Sequence, residues 1–297
     1  MGSHDGHAVR EGSDLPPDSV RATRRSRRPG GASPEVRIIL PGRRVVGGRA
    51  EGSVLASERA LSFLGGVDSA TGEIRDPESP IRGERLAGRI LSLPHAKGST
   101  VGSYVLYGLR KRDVAPAAIA ASRAETILAV GAVIADVPMV DAVPTDLLVT
   151  GDRAIVDATH GAIELPDVRE QSVVSCFLER QGRVLVVRRS EKVGSFRGKW
   201  SGISGFLEGA EDPEVSALRE IEEETSLTEV SRIARGSPVL SRGGDTVYRI
   251  HPFRFHAPLG DVHLDWENVE YRWVDPAELP RLDSVPKLAA AYRATLA

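Results

Sequence analysis

One cysteine, Cys176, stands in 297 residues, and that scarcity has two consequences. No intrachain disulfide can form, and no iron–sulfur cluster can be held by this chain alone, since such clusters take three or four thiolates. A lone cysteine in an apolar stretch reads as a small buried hydrophobe. The chain also lacks any apolar run near the roughly 18 residues that a membrane-spanning helix needs, and its N-terminus has no apolar signal core. The expectation is a cytoplasmic chain that neither crosses nor docks on a membrane. Charge of one sign is not in excess either, with 39 Lys and Arg against 41 Asp and Glu and a formal net charge of −2. With 41% hydrophobic and 27% charged residues, the composition describes a soluble protein long enough for two domains.

Large apolar residues are almost missing from residues 1 to 35, which are rich in Gly, Ser, Pro and Arg. Such a segment cannot bury enough surface to offset its ordering entropy, so a disordered basic tail is expected there. Its cluster of Arg21, Arg24, Arg25, Arg27 and Arg28 has no interleaved aromatic residue and has acids on both sides, which argues against a nucleic-acid partner.

From Val36 onward short β-branched runs broken by glycine read as strands: VRIIL, RRVVGGRAEGSVL and LAGRILSL. Gly65-Gly66 and Asp76-Pro77 mark tight turns in the loop between them. VGSYVLYGLRKRD reads as a helix, AAIAAS as a strand, ETILAVGAVIADV as a helix, and LLVTGDRAIVDATHGAIEL as a hairpin turning at Gly151-Asp152. This is a mixed α/β unit over residues 36–166. A second unit, 167–297, opens with SVVSCFLER and QGRVLVVRRS, two strands joined at Gln181-Gly182, and ends with TVYRIHPFRFHAP and VEYRWVDPAEL as strand, strand and turn.

Between those strand pairs lies ISGFLEGAEDPEVSALREIEEETSL, residues 203–227. Asp212 is placed to cap a helix that has Pro213 at its first position. Glu220, Glu223 and Glu224, at i, i+3 and i+4, share one helical face, while Val215, Leu218 and Ile221 fall on the other. The expectation is an apolar stripe seated on a core with the acids presented outward. Like charges this close repel by a few tenths of a kcal/mol per pair, and a hard divalent cation would relieve them.

With Gly205, Glu211 and Arg219 at their spacings, this stretch resembles the signature of the Nudix hydrolases almost position for position. The resemblance implies an α/β/α sandwich whose loop–helix–loop binds Mg²⁺ or Mn²⁺ through Glu220, Glu223 and Glu224, helped by the Gly205 carbonyl. Arg219 and Glu211 would pair to brace the loop, Glu223 would belong to the catalytic carboxylates, and Glu267 would supply a further one from a late loop. One departure is Ser226, where the family has glycine.

The first unit carries SFLGGVD (62–68), KGSTVGSYVLY (97–107), APAAI (115–119) and ETILAVGAVIADVPMVD (125–141). Together these resemble the small swivel-domain subunits of the aconitase X group, most of all those of the archaeal-type phosphomevalonate dehydratases. The resemblance gives Ser99 the role of the base that removes a proton beside a carboxylate, with Lys97, Gly98 and Thr100 binding substrate. A loop entering a helix also offers free N–H groups and the positive end of a dipole to an anion. Nothing in the chain supplies a base to activate Ser99, and the aconitase resemblance implies a cluster iron at the leaving hydroxyl that one cysteine cannot hold, so the implied partner is a separate large subunit carrying a four-iron four-sulfur cluster. Val101 stands where other aconitase-like loops have arginine.

The combined expectation is an α/β chain: a disordered tail, a swivel-type mixed β/α domain and a Nudix sandwich, acting on small phosphorylated molecules. Two other readings stay open: a regulatory module that binds a diphosphate and tunes the dehydratase, and a nucleotide-pool hydrolase with a scaffold domain.

Overall fold

The computed structural model describes residues 37–297, and the tail expected over 1–35 lies outside them. The N-terminal half begins with β1 (Ile38–Pro41), β2 (Arg43–Val46), β3 (Arg49–Ala56) and β4 (Leu61–Ser62). After a long loop come β5 (Ile90–Leu93), β6 (Ala96–Lys97), α1 (Gly102–Lys111), β7 (Ala118–Ala121), α2 (Thr126–Ala135) and β8 (Met139–Asp141). A hairpin of β9 (Arg153–Asp157) and β10 (Ala162–Leu165) closes it. Eight of these strands form one sheet in the order β1-β10-β9-β3-β5-β7-β8-β2, in which β3, β5, β7 and β8 run parallel, and β4 pairs with β6 apart from it. β5, β7 and β8 are buried on both faces, which is why they read as short continuous runs such as AIAA. Phe63, Leu91, Ile119, Leu106 and Leu128 form the core under α1 and α2, and Leu40, Val54, Ala120, Val156 and Ile163 form the core on the other face.

Two expectations change here. RRVVGGRAEGSVL is two strands parted at Gly47-Gly48, because Gly48 takes φ 134°. The hairpin turns at 158–161, not at Gly151-Asp152: Asp157 Oδ1 accepts the His160 amide at 3.1 Å and Gly161 turns back at φ 69°. Side-chain capping by an Asx residue followed by a left-handed glycine outcompetes the Gly-Asp pair seven residues earlier.

The C-terminal half contains β11 (Arg169–Arg180), β12 (Arg183–Arg189), β13 (Trp200–Ser201), β14 (Ile203–Phe206), α3 (Pro213–Thr225), β15 (Ser231–Arg235) and β16 (Val239–Gly243). It ends with β17 (Thr246–His256), β18 (Asn268–Val274) and α4 (Leu288–Ala294). The sheet runs β13-β12-β11-β17-β15, with β14 on β11, β16 on β17 and β18 on β12. β11 and β12 are joined at Gln181-Gly182, both at positive φ, as a tight two-residue hairpin requires. Ala217 and Ile221 of α3 pack with Val174, Leu185, Ile203 and Phe253 on one face of the sheet. Leu288, Ala291 and Tyr292 of α4 pack with Phe177, Val186 and Trp200 on the other. The result is an α/β/α sandwich. Among the described residues no helix is long and apolar enough to cross a membrane.

Candidate functional sites

α3 begins as its sequence dictates: Asp212 Oδ1 accepts the amides of Glu214 (2.8 Å) and Val215 (3.4 Å), and Pro213 occupies the first turn. Its orientation corrects the expected one. Val215 and Leu218 are exposed, whereas Ser216, Ala217, Glu220, Ile221 and Glu224 are buried. The acid face is turned inward. Ser216 and Ala217 are small enough to bring the helix close to the sheet, and the strands offer polar partners that hold the carboxylates there.

Glu224 is 4% exposed and both its oxygens are engaged: Oε1 accepts the Ser204 amide of β14 at 3.1 Å, and Oε2 accepts Asn268 Nδ2 at 2.7 Å. Burial pushes its carboxyl well above the usual carboxylate range, the two hydrogen bonds pull it down, and the charges of Glu267 and Glu220 push it up again. Glu220, 6% exposed, lies against Gly205, where an added Cβ would stand 2.1 Å from Glu220 Cδ. Only glycine fits beneath that carboxylate. At about 100° per residue Glu223 stands about 80° from the midline between Glu220 and Glu224, which puts it at the solvent rim. Arg219 Nη2 donates to Glu220 Oε1 (3.2 Å), Glu211 Oε2 (3.3 Å) and Ser216 Oγ (3.1 Å), tying the helix to the loop before it. Ser226 closes α3 in the left-handed conformation at φ 60°. Behind the acids Cys176 is buried, and burial followed by the charges of Glu224 and Glu220 raises its thiol well above the ordinary value.

Among the described residues no group of three His, Cys, Asp or Glu side chains closes round one point. The oxygens of Glu224 are turned to Asn268 and Ser204, and one oxygen of Glu220 is turned to Arg219. The donor set itself suits a hard cation: carboxylates, a glycine whose missing side chain lets Glu220 lie against the strand, and acids close enough to Glu224 to raise its protonation. Glu267 contributes its charge at Glu224, and its backbone carbonyl accepts the Ser190 amide at 2.7 Å. Glu270, in the same WENVEY segment, faces elsewhere: Arg272 donates to it at 2.6 Å and Arg188 pairs with it at 3.6 Å. Asn268 was missed by sequence reasoning because attention in that segment goes to its acids. Its position between Glu267 and the strand was the available signal.

The N-terminal site is open by contrast. β6 pairs with β4 and delivers Lys97 to the loop at Gly98, which takes φ 103°. Gly98, Ser99 and Thr100 are exposed. Ser99 Oγ accepts the Val101 amide at 3.3 Å, and no acidic or histidine side chain bonds it among the described residues. The first-turn amides are spent within the turn: Gly102 on Ser99 O, Ser103 on Thr100 O and Tyr104 on Val101 O. The free N–H groups expected at this helix entry are therefore fewer, those of Ser99 and Thr100. Lys97 Nζ lies 2.7 Å from Glu78 Oε2 and 3.5 Å from Asp76 Oδ2. Its hydrogen bond to Glu78 raises the Lys97 amine above its ordinary value although burial opposes. Burial alone would raise Asp76, but the Glu78 and Ser62 amides and Lys97 hold it below its usual range. Around the loop Leu64, Val101, Tyr104 and Tyr107 are exposed, Tyr104 to 69%.

An eight-stranded mixed sheet carrying a glycine-flanked serine at a helix entry, followed by an α/β/α sandwich with buried glutamates on its helix, defines a two-part chain of swivel and Nudix type. Residues 39–165 match the family model described as the aconitase X swivel domain, and residues 168–295 match that of the NUDIX domain. The phosphomevalonate dehydratase small subunit of Thermococcus kodakarensis is 56% identical over 126 residues, covering 42% of this chain and 95% of that protein. The crystal structure of holo aconitase X from Thermococcus kodakaraensis is similar with a TM-score of 0.43 and 55% identity, covering 43% of this chain and 98% of that one. A MutT protein from Methanosarcina mazei Go1 is similar with a TM-score of 0.38 and 22% identity, covering 43% of this chain and 93% of that one. The chain belongs to the aconitase X swivel family, and it joins to that domain a NUDIX domain.

Proposed function

We propose that the chain is a bifunctional enzyme component. Its swivel half, residues 36–166, is the small subunit of a dehydratase that eliminates water from (R)-5-phosphomevalonate with a separate cluster-bearing large subunit. Its Nudix half, residues 167–297, hydrolyses a diphosphate-linked small molecule with Mg²⁺ or Mn²⁺. The observation that carries this reading is the contrast in completeness: Ser99 is exposed with no base bonded to it, while Glu220 and Glu224 are buried beside Gly205.

In the swivel half Ser99 Oγ takes the proton beside the substrate carboxylate, and the Ser99 and Thr100 amides with Lys97 receive the anionic end. Lys97 reaches that role from its tether to Asp76 and Glu78, so it also fixes the loop. The large subunit would supply the group that activates Ser99 and a Lewis acid for the leaving hydroxyl. It seats on the apolar surface around the loop, with Val101 and Tyr104 as its anchors. A Tyr104→Asp change is expected to weaken assembly more than tenfold without altering the fold. Titration of the labelled large subunit against both chains checks this.

In the Nudix half Glu220, Glu223 and Glu224 with the Gly205 carbonyl would hold the cation, which neutralises developing phosphate charge when bound. Glu224 gives up the Asn268 contact to take part, and Glu267 accepts a proton from the attacking water. Arg219 and Glu211 keep the loop in register. The lone buried Cys176 suits a reducing cytoplasm. The test is a panel of nucleoside, ADP-ribose-like and prenyl diphosphates assayed for phosphate release with Mg²⁺.

The engaged oxygens of Glu224 favour one second reading, a module that binds a diphosphate without cleaving it and tunes the dehydratase. The same panel separates the two: ligand binding without release of phosphate supports the regulatory reading.

A further inference from the structure

Independent domains on a linker touch through small polar surfaces and unfold separately. The two halves of this chain meet differently. Across the described residues they make one compact unit, and three contacts of different kinds join them. Val247, at the start of β17, is fully buried in the N-terminal core with Val54, Val156 and Leu165, and Leu240 of β16 packs against the same core. At the tip of that hairpin Arg242 Nη2 donates to Asp152 Oδ1 at 2.9 Å, with side chains only 9% and 12% exposed. Asp152 Oδ2 accepts the Val149 amide at 2.9 Å, and its carbonyl accepts the amide of Val54, so this acid also fixes the start of β9 against β3. Finally Lys287, the left-handed residue at the head of α4 (φ 66°), places its Nζ 2.5 Å from Asp146 in the 3₁₀ turn Thr145–Leu147.

Each half is thereby completed by the other. Without the hairpin the N-terminal core would lose an apolar side chain that is wholly buried in it, and Asp152 would be left almost buried without its cation, the costly way to break such a pair. Arg242 has a further demand for this seat: its Nε donates to Gly244 O at 2.7 Å, which stiffens the tip, while Nη1 is buried without a partner. A guanidinium with one orphaned donor stays inside only where the surrounding packing holds it. The contact lies on the core face opposite α1 and α2, away from the Ser99 loop.

We propose that this hairpin-and-α4 clasp makes the swivel and Nudix halves a single cooperative folding body, so that a change in the core of one half is felt as a change of stability in the other. The fused NUDIX domain is in this view a structural part of the small subunit and moves with it as one piece.

The three tryptophans, Trp200, Trp266 and Trp273, all lie in the C-terminal half, so their fluorescence reports that half alone, whereas far-ultraviolet circular dichroism reports both. The experiment is chemical unfolding of the full chain followed by both signals, in wild type and with Leu91→Ala in the N-terminal core under α1 and α2. The proposal expects coincident transitions and an equal shift of both midpoints in the variant. Adding Asp152→Ala and Arg242→Ala is expected to split the transition and make the tryptophan midpoint insensitive to Leu91→Ala. Ile119→Val, a milder change in the same core, replaces Leu91→Ala if that chain does not fold. A tryptophan midpoint that stays at the wild-type value while the dichroism shifts overturns the proposal. Equal shifts that survive the double change in the clasp overturn the role given to Arg242 and Asp152.

Discussion

The Ser99 loop and the α3 carboxylates are both small clusters of polar groups at a helix, but the Ser99 hydroxyl is exposed with no acidic or histidine side chain bonded to it among the described residues, while Glu220 and Glu224 are sunk against the sheet beside hydrogen-bond donors. Among the described residues Ser99 Oγ has one hydrogen bond, from a backbone amide; Glu224 has two hydrogen bonds, two acidic neighbours and almost no exposure. A group that must be activated strongly, such as a serine hydroxyl acting as a base, cannot be poised in that setting. A buried carboxylate with raised protonation, by contrast, already has its surroundings fixed by the fold. The difference teaches that the buried glutamates are held by partners within their own half, whereas among the described residues no acidic or histidine side chain bonds the Ser99 hydroxyl.

The sharpest break in that comparison is Ser99→Ala. Water elimination by the complex reconstituted with a large subunit is expected to fall by about 10³-fold, within the range for loss of a proton-transfer group, with diphosphate hydrolysis unchanged. Parallel assays on one preparation check it. Next, Glu223→Gln or Glu224→Gln is expected to lower hydrolysis by about 10²-fold and leave dehydration alone, as loss of one charge-stabilising group does. For Glu223→Gln, at the solvent rim, the metal-free melting temperature is expected not to fall, because a like charge leaves the face. Mg²⁺ should raise the melting temperature of wild type more than that of either variant.

A third test separates the exposed loop from the firm frame behind it. Asp141, 1% exposed at the end of β8, is held below the usual carboxylate range first by the hydrogen bonds from Arg43 (2.8 and 2.7 Å), against the opposing effect of burial, and then by the Ala124 amide. Asp141→Asn is expected to cost about 2 kcal/mol at neutral pH, a figure kept modest because the Arg43 guanidinium is exposed. Because the folded-state value is lowered, that advantage is full above the ordinary carboxylate value and disappears as pH falls through the lowered one. Denaturation midpoints of both proteins between pH 7 and acid should converge on the acid side. The smallest expected effect is Ser226→Gly, a gain of about 0.5 kcal/mol, since Ser226 holds φ 60°, a conformation that glycine adopts without the steric cost of a Cβ. A paired thermal melt measures it.

Much of the frame was legible in the sequence, and what was not has physical causes. Asp212-Pro213 announced the start of α3 and Gln181-Gly182 the β11–β12 hairpin because both are local chemistry. The direction in which α3 faces was not local. Val215 and Leu218 look like the natural buried stripe, yet the small pair Ser216-Ala217 and the donors Ser204 and Asn268, distant in sequence, decide the matter for the acids. α4 escaped notice because LAAAYRA is short and only its packing on Phe177 and Trp200 makes it a helix face. The Ser99 loop could be located from KGSTVGSY, but the tether of Lys97 to Asp76 and Glu78 depends on a turn about twenty residues earlier folding back beneath it.

The central claim is that one site is self-contained and the other is not, and the purified chain alone tests it most directly. In one buffer with Mg²⁺ it is assayed for phosphate release from the diphosphate panel and for water elimination from phosphomevalonate, before and after anaerobic addition of the large subunit. Phosphate release should be present from the start and unaffected by the addition, while elimination should appear only with it. Elimination by the chain alone, or hydrolysis that waits for the large subunit, would contradict the account.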